Sequence, residues 1–349
     1  MRSKKGFCGR DWFCTINQGL YPPFLVIMVF ILLLTSCGRL PTSPTPSPTH
    51  TSSVAPIALD YPSVDGSTSA HPLQVLLACR ILGVPCVWQE SWALGTTRRL
   101  VPDLSFEESP QLVERINSIW HSGTHGAYVN LIEGNADFIL VARLPSEDEL
   151  QAARESGVVL DVQAVALDAF VFLVNAENPV DDLTLETIRD IYTGEITHWS
   201  ELKAGGEQSD GAGEEIHTYQ RNRNSGSQEL METLVMQGIA MTDSPDMILE
   251  TMMGPINAIG EDSLGIGYSV YYYAVFIFPS EYVKLIGVDG VGPTSDSIAD
   301  SSYPLTTEVY AVIREGMPQD STAVLLRNWL LTEEGQAVIK ESGYVPIRE

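Results

Sequence analysis

Seven consecutive residues, Arg221-Asn222-Arg223-Asn224-Ser225-Gly226-Ser227, gather the groups that hold an oxyanion. A guanidinium can make two parallel charge-assisted hydrogen bonds to a tetrahedral anion. The residues that follow, Leu230, Met231, Leu234 and Val235, recur at helical spacing, and Gly238 supplies a stop. Ser225 therefore falls at a helix N-cap, where unpaired N–H groups and a partial positive charge favour an anion. The same residues have a plainer reading, because Ser225-x-x-Gln228 is also an ordinary capping box.

Two further junctions repeat the pattern. Asp65-Gly66-Ser67-Thr68-Ser69-Ala70-His71-Pro72 precedes a helix with Leu73, Leu76, Leu77 and Ile81 on one face, Pro72 in its first turn and Gly83 at its end. His121-Ser122-Gly123-Thr124-His125-Gly126 precedes a short helix carrying Ala127, Leu131 and Ile132 and stopping at Gly134. An apolar strand, Ala136 to Ala142, follows it and runs into Arg143. Hydroxyl residues are common N-caps, so one such start means little. Three of them, converging, would surround an anion with N–H and O–H donors without a lysine, and Arg221 would supply the charge.

Other chemistries fit less well. His121 and His125 are four apart, as zinc ligands can be, but Gly123 between them puts them astride a turn and no Cys or third His is near, so no metal site is expected. His125 could donate to the anion instead. No HExxH, GxSxG, P-loop or dinucleotide fingerprint occurs, and Ser225 and Ser227 lack His and Asp partners at readable spacing. The chain is expected to bind and not to catalyse, with no cofactor.

The elements that would position these loops alternate between helical period and short β-rich runs, the pattern of an α/β fold. Expected strands include Ile216 to Gln220, Asp168 to Asn175, the start of Gly265 to Tyr273, Val283 to Val288 and Glu308 to Ile313. Thr184 should cap a helix through Ile188 and Ile191 that Gly194 closes, and a helix over Ala323 to Leu331 and another after Thr332 end the chain.

The first fifty residues are of another kind. Arg2, Lys4, Lys5 and Arg10 precede an uninterrupted apolar run, Phe24 to Leu34, which is short for a membrane span and right for a signal peptide. It ends in Leu34-Thr35-Ser36-Cys37, and Pro41 to Ser53 is nearly all Pro, Ser and Thr, a tether that cannot build a core. Without residues 1–36 the chain has sixteen basic and forty-four acidic residues, a formal charge of −28. That excludes nucleic acid and anionic lipid surfaces as partners. An anionic ligand would have to be held by a local cluster of donors against the global field. In the body only Cys79 and Cys86 remain, placed either for a disulfide in an oxidising compartment or as two small buried apolar residues.

At these residues the chain resembles the substrate-binding lipoproteins of phosphate ABC transporters, a family of type II periplasmic binding proteins. The likeness runs from about Tyr61 to the C-terminus and is carried by several pieces together. These are Asp65-Gly66-Ser67-Thr68-Ser69, Ile191-Tyr192-Thr193-Gly194-Glu195-Ile196-Thr197-His198-Trp199, Arg221 with Ser225-Gly226-Ser227, Leu264-Gly265-Ile266-Gly267-Tyr268 and Gly343-Tyr344-Val345-Pro346. The resemblance implies a two-lobed α/β fold, each lobe a mixed sheet flanked by helices, with the anion in the cleft. It implies a signal peptide over 1–36, a lipidated Cys37 with a tether over 37–55, a first lobe of 56–174 plus 278–349 and a second of 175–277. By motif position Thr68, Ser69, Thr124, Arg221, Ser225, Gly226 and Ser227 match the family's anion contacts. The implied protein is a monomer, anchored by lipid outside the membrane of a bacterial cell, which passes inorganic phosphate or a related oxyanion to an ABC permease. One departure matters. The family's acceptor Asp, counted from Asp137-Phe138, falls at Ala142 with Arg143 beside it. An Arg cannot accept a hydrogen bond. Arg143 thus becomes a candidate contact, and a sensor or scavenger of another anion or an organic phosphate becomes the rival reading. An extracellular phosphoester hydrolase is a more distant one.

Overall fold

The computed structural model describes residues 57–347 apart from 59, 92–96, 104, 106–108 and 203–214. The signal peptide, Cys37 and the tether lie outside the described residues. A nine-stranded mixed sheet runs in the order β1 (Val64–Gly66), β4 (Phe138–Val141), β12 (Thr306–Arg314), β5 (Leu160–Asn175), β10 (Gly265–Val270) and β7 (His217–Thr218). Three more strands attach to this path: β11 (Val283–Val288), which pairs with β5 and with β6 (Asp182–Leu183), and β13 (Val345–Pro346), which pairs with β5.

The sixteen residues of β5 organise all of this. Its first part pairs antiparallel with β12, from Leu160 opposite Arg314 to Ala169 opposite Thr306. From Phe170 onward its partners are β10 on one side and, from Phe172, β11 on the other. The strand therefore changes partners between Ala169 and Phe170 and belongs to two groups of elements in turn. Its apolar run is buried from Ala169 to Val174, as expected of a strand covered on both faces. Complete burial of Phe170 and Phe172 contributes roughly 1.5–3 kcal/mol each. Val283–Val288 pairs antiparallel with the inner half of β5 and parallel with β6.

The helices form where the periodicity places them. The His71–Leu82 helix carries Pro72 in its first turn and ends on Gly83 in the left-handed region. Thr184 accepts from Thr187 N, and the helix it starts, Leu185–Thr193, closes on Gly194. The helix Thr322–Leu330 is followed by Glu333–Ser342, capped by Thr332. Cys79 and Cys86 are bonded, with their Cα atoms 6.1 Å apart. The bond ties the first helix to an antiparallel hairpin of β2 (Cys86–Ser91) and β3 (Thr97–Pro102), which the sequence pattern did not reveal. A parallel pair of β8 (Gln220–Arg221) and β9 (Ile248–Leu249) completes the strands.

Candidate functional site

Three loops meet over a cavity of about 180 Å³, lined by Ser67, Thr68, Ser69, Thr124, Arg221, Ser225, Gly226 and Ser227 among others. The first loop follows β1. Gly66 there admits no side chain, because a Cβ would lie 2.1 Å from both Leu140 O and the Gln74 side chain. Asp65, 7% exposed, joins this loop to the second: its Oδ1 accepts from Gly66 N at 2.7 Å and Ser122 N at 2.8 Å, and its Oδ2 from Asn130 at 2.7 Å. Ser67 Oγ accepts from Ala142 N at 3.0 Å and lies 2.7 Å from Thr124 Oγ1. When Ser67 donates across that contact, the Thr124 proton is left for the cavity.

The second loop starts the Gly123–Glu133 helix, whose N-cap position is Ser122. Thr124 lies in the first turn and is buried. The third loop faces it. A Cβ on Gly226 would come within 2.6 Å of Thr124 Oγ1, so glycine is what allows the two sides of the cavity to close together.

In the third loop the plainer reading fails. Ser225 occupies the N-cap position of the Gly226–Leu230 helix, but its side chain caps nothing. Gln228, the other half of the anticipated capping box, points back to accept from Arg221 N at 3.2 Å and from the Tyr268 hydroxyl. Tyr268 also accepts from Arg221 N at 3.0 Å. The helix continues as a π-helical stretch, Met231–Met236, before Gly238 adopts a positive φ.

Arg221 is 8% exposed. Its Nε donates to Leu249 O at 3.0 Å and its Nη2 to Glu250 O at 3.3 Å. It makes no ion pair among the described residues, and burial pulls its pKa below the usual arginine value. The Glu250 carboxylate, which lines the same cavity, acts on it only at a distance, and a buried cation without a bonded partner carries a penalty of several kcal/mol. The hydroxyls around it can orient towards an anion but cannot neutralise the charge. The arrangement offers donors from three loops and one guanidinium to whatever occupies the cavity.

Arg143 and His125 are elsewhere. Arg143 makes a two-pronged contact with Glu149, Nη1 to Oε2 and Nη2 to Oε1, both at 2.8 Å, and Nη1 also donates to Leu144 O at 2.8 Å. Burial works to lower its pKa, but the bonds to Glu149 outweigh it and raise the value. Glu149 is held ionised in turn: burial opposes this, and Arg143 overcomes it. His125 Nδ1 lies 3.0 Å from the same Glu149, not at the anion cavity. Both residues lie in a carboxylate-centred cluster, and neither is among the residues lining the Arg221 cavity. Arg143 is also no surface residue, being 6% exposed. Ala142 does line the cavity, and its N–H fixes Ser67. His121 Nδ1 lies 3.3 Å from Thr68 Oγ1, so the two histidines serve different partners. Burial lowers its pKa and leaves it neutral at pH 7.

Sequence reasoning missed Asp65, Ser67, Gln228 and Tyr268 as members of the site. Ser67 was visible in the Gly-Ser-Thr-Ser run. The role of Gln228 was hidden because it fits a cap equally well by spacing.

A family model described as a PBP superfamily domain matches residues 117–334. The phosphate-binding protein PstS of Staphylococcus saprophyticus is 25% identical over 234 residues, covering 65% of this chain and 70% of that protein. PstS of Staphylococcus aureus is 24% identical over 255 residues, 68% of this chain and 75% of that one. Among solved structures, a Clostridium perfringens protein with bound phosphate superposes with a TM-score of 0.59 at 23% identity, covering 82% of this chain and 99% of its own. An ABC-type phosphate transport receptor from Vibrio cholerae gives 0.56 at 20% identity, covering 81% and 98%.

Proposed function

This chain belongs to the PBP superfamily, and we propose that it captures phosphate or a closely similar oxyanion outside the cell membrane and delivers it to an ABC permease. The observation that carries this reading is Arg221, a buried cation with no ion pair among the described residues, facing a cavity ringed by hydroxyls from three loops, with the Glu250 carboxylate at its wall but not bonded to it. The phosphate-binding names of the staphylococcal relatives support the choice of anion. Thr68, Ser69 and Thr124 on one side, and Ser225, Gly226 and Ser227 on the other, orient the oxygens while Arg221 neutralises charge. No bond is made or broken.

The partner change within β5 supports two lobes joined at Ala169–Phe170, with β11 in the second. Opening there would separate Thr124 from Gly226 and release the ligand, a hinge movement. We further propose that Cys37 carries a lipid, that residues 37–55 tether the body to the membrane, and that the protein acts as a monomer.

Calorimetric titration after unfolding and refolding to strip bound anion tests the reading. Phosphate should bind tightly, and Arg221→Ala should weaken it by about a hundredfold or more, the scale of a lost charge-assisted pair. Equal affinity in the variant would remove Arg221 from the site and the reading with it.

A further inference from the structure

A second cavity of about 580 Å³ adjoins the first, and the two share Ala142 and Leu230 in their walls. Its lining is of a different kind. Leu144, Leu234 and Tyr303 give it apolar surface, and Glu229 and Glu308 bring carboxylates. Arg143 also lines it, but that charge is already matched by Glu149. Glu229 lies near enough to Arg143 to influence it, and Glu308 accepts only from the Tyr310 hydroxyl, at 2.7 Å. One guanidinium thus stands against three carboxylates, and the cavity carries an excess of two negative charges.

Two buried polar atoms of residues in its wall lack hydrogen-bond partners. Arg143 Nε and Thr307 Oγ1 are buried without partners, although both residues line it. Arg143 is 6% exposed, so water does not readily serve its N–H. A buried donor left unpaired costs about 1–3 kcal/mol, which is why such groups point to something absent.

We propose that the two cavities together accept a phosphate monoester whose organic arm ends in an amine. The phosphoryl oxygens lie in the Arg221 cavity. The arm crosses at Ala142 and Leu230, the residues that the two cavities share in their walls. The ammonium sits between Glu229 and Glu308, and a polar atom of the arm meets Arg143 Nε or Thr307 Oγ1. A second anionic group is disfavoured there, because it would face the two carboxylates. This proposal rests on the reading of the Arg221 cavity as the oxyanion site, and it narrows the ligand class.

The test is calorimetric titration of the full-length, anion-stripped chain with three probes: inorganic phosphate, O-phosphoethanolamine, and ethyl phosphate as the arm without the amine. O-phosphoethanolamine should bind about tenfold or more tighter than ethyl phosphate, as expected for an ammonium placed between two partly buried carboxylates. In the double variant Glu229→Gln, Glu308→Gln that ratio should fall towards one. Tight phosphate binding with equal or undetectable binding of the two esters would overturn this proposal and leave the oxyanion reading standing. No binding by any probe, phosphate included, would overturn both.

Discussion

Two arginines, Arg143 and Arg221, are buried to nearly the same degree, 6% and 8% exposed, and have opposite surroundings. Arg143 is gripped by the ionised carboxylate of Glu149, and its charge is settled within the fold. Arg221 is held by two backbone carbonyls and makes no ion pair among the described residues, Glu250 acting on it only across the cavity. The shifts follow: Arg143 is raised above the usual arginine value by Glu149 in spite of burial, and Arg221 is lowered by burial. Burial alone therefore does not mark a binding residue. What marks one is a buried charge whose partner the fold withholds. By that criterion the charge of Arg143 belongs to the architecture, and Arg221 is the candidate binding residue.

The most forceful way to break the comparison is to give Arg143 the condition of Arg221. Glu149→Ala removes its partner and leaves a buried cation with no bonded counter-charge. It also removes the acceptor for Ser146 N, at 2.8 Å, and half of a capping box. Denaturant unfolding should show a loss of about 3–5 kcal/mol. Anion affinity of the folded protein should change little, since Glu149 is not among the residues lining the anion cavity. A loss below about 1 kcal/mol would mean that the pair is not what settles Arg143.

Asp168 extends the comparison to a carboxylate. It lies one residue before the partner change in β5 and is 2% exposed. Oδ1 accepts from Ala169 N at 2.8 Å and Tyr272 N at 2.9 Å, while Oδ2 is buried without a partner. Its surroundings are the hydroxyls of Tyr272 and Tyr344, whose own ionisation burial suppresses, and Thr307 across the strand pair. Burial raises its pKa from 3.8 to about 7. The folded state thus holds a proton that the unfolded chain has already released, so stability falls as pH rises through about 7. Between roughly pH 6 and pH 8 the loss should be about 1.4 kcal/mol. Glu149 and Asp262, held low, act only in more acid solution. Burial lowers the pKa of His71 and His121, which adds a slope of opposite sign near pH 6. Comparison with Asp168→Asn cancels these other contributions. The melting temperature of the wild type should fall relative to that variant across this interval, and parallel curves would show that Asp168 does not titrate there.

Much of the architecture was legible because its signals are local. Pro72 and Gly83 bracket one helix, Thr184 and Gly194 another, and continuous apolar runs mark β4 and the inner half of β5. The three loops were legible for the same reason, as each is a run of small hydroxyl residues before an amphipathic stretch. What escaped depends on pairings distant in sequence. Whether Arg143 meets a ligand or Glu149 is decided by how the Glu147–Glu155 helix turns back, and spacing alone permits either. The assignment of Gln228 needed Tyr268, forty residues away. The pairing of β11 with β5 joins segments more than a hundred residues apart, which spacing does not show. The β2–β3 hairpin has charged and polar residues on much of its surface and shows little alternation to read.

The finest test of the comparison acts on Arg221 without any ligand. Arg221→Leu removes an unpaired buried charge, which should favour the folded state. It also costs Leu249 O and Glu250 O one donor each, leaving them the backbone N–H and side-chain amide of Asn222, and should disfavour the folded state by at most about 0.5–1.5 kcal/mol per bond. The two effects oppose each other, so unfolding of the anion-free variant should differ from wild type by less than about 1 kcal/mol. Added phosphate should then raise the melting temperature of the wild type and leave the variant where it is, because only a ligand bound to the folded state stabilises it. Destabilisation on the scale of Glu149→Ala would place Arg221 in the framework beside Arg143 and remove the contrast between them. Near-neutral stability with the phosphate response gone would establish that Arg221 is kept in the fold for what it binds.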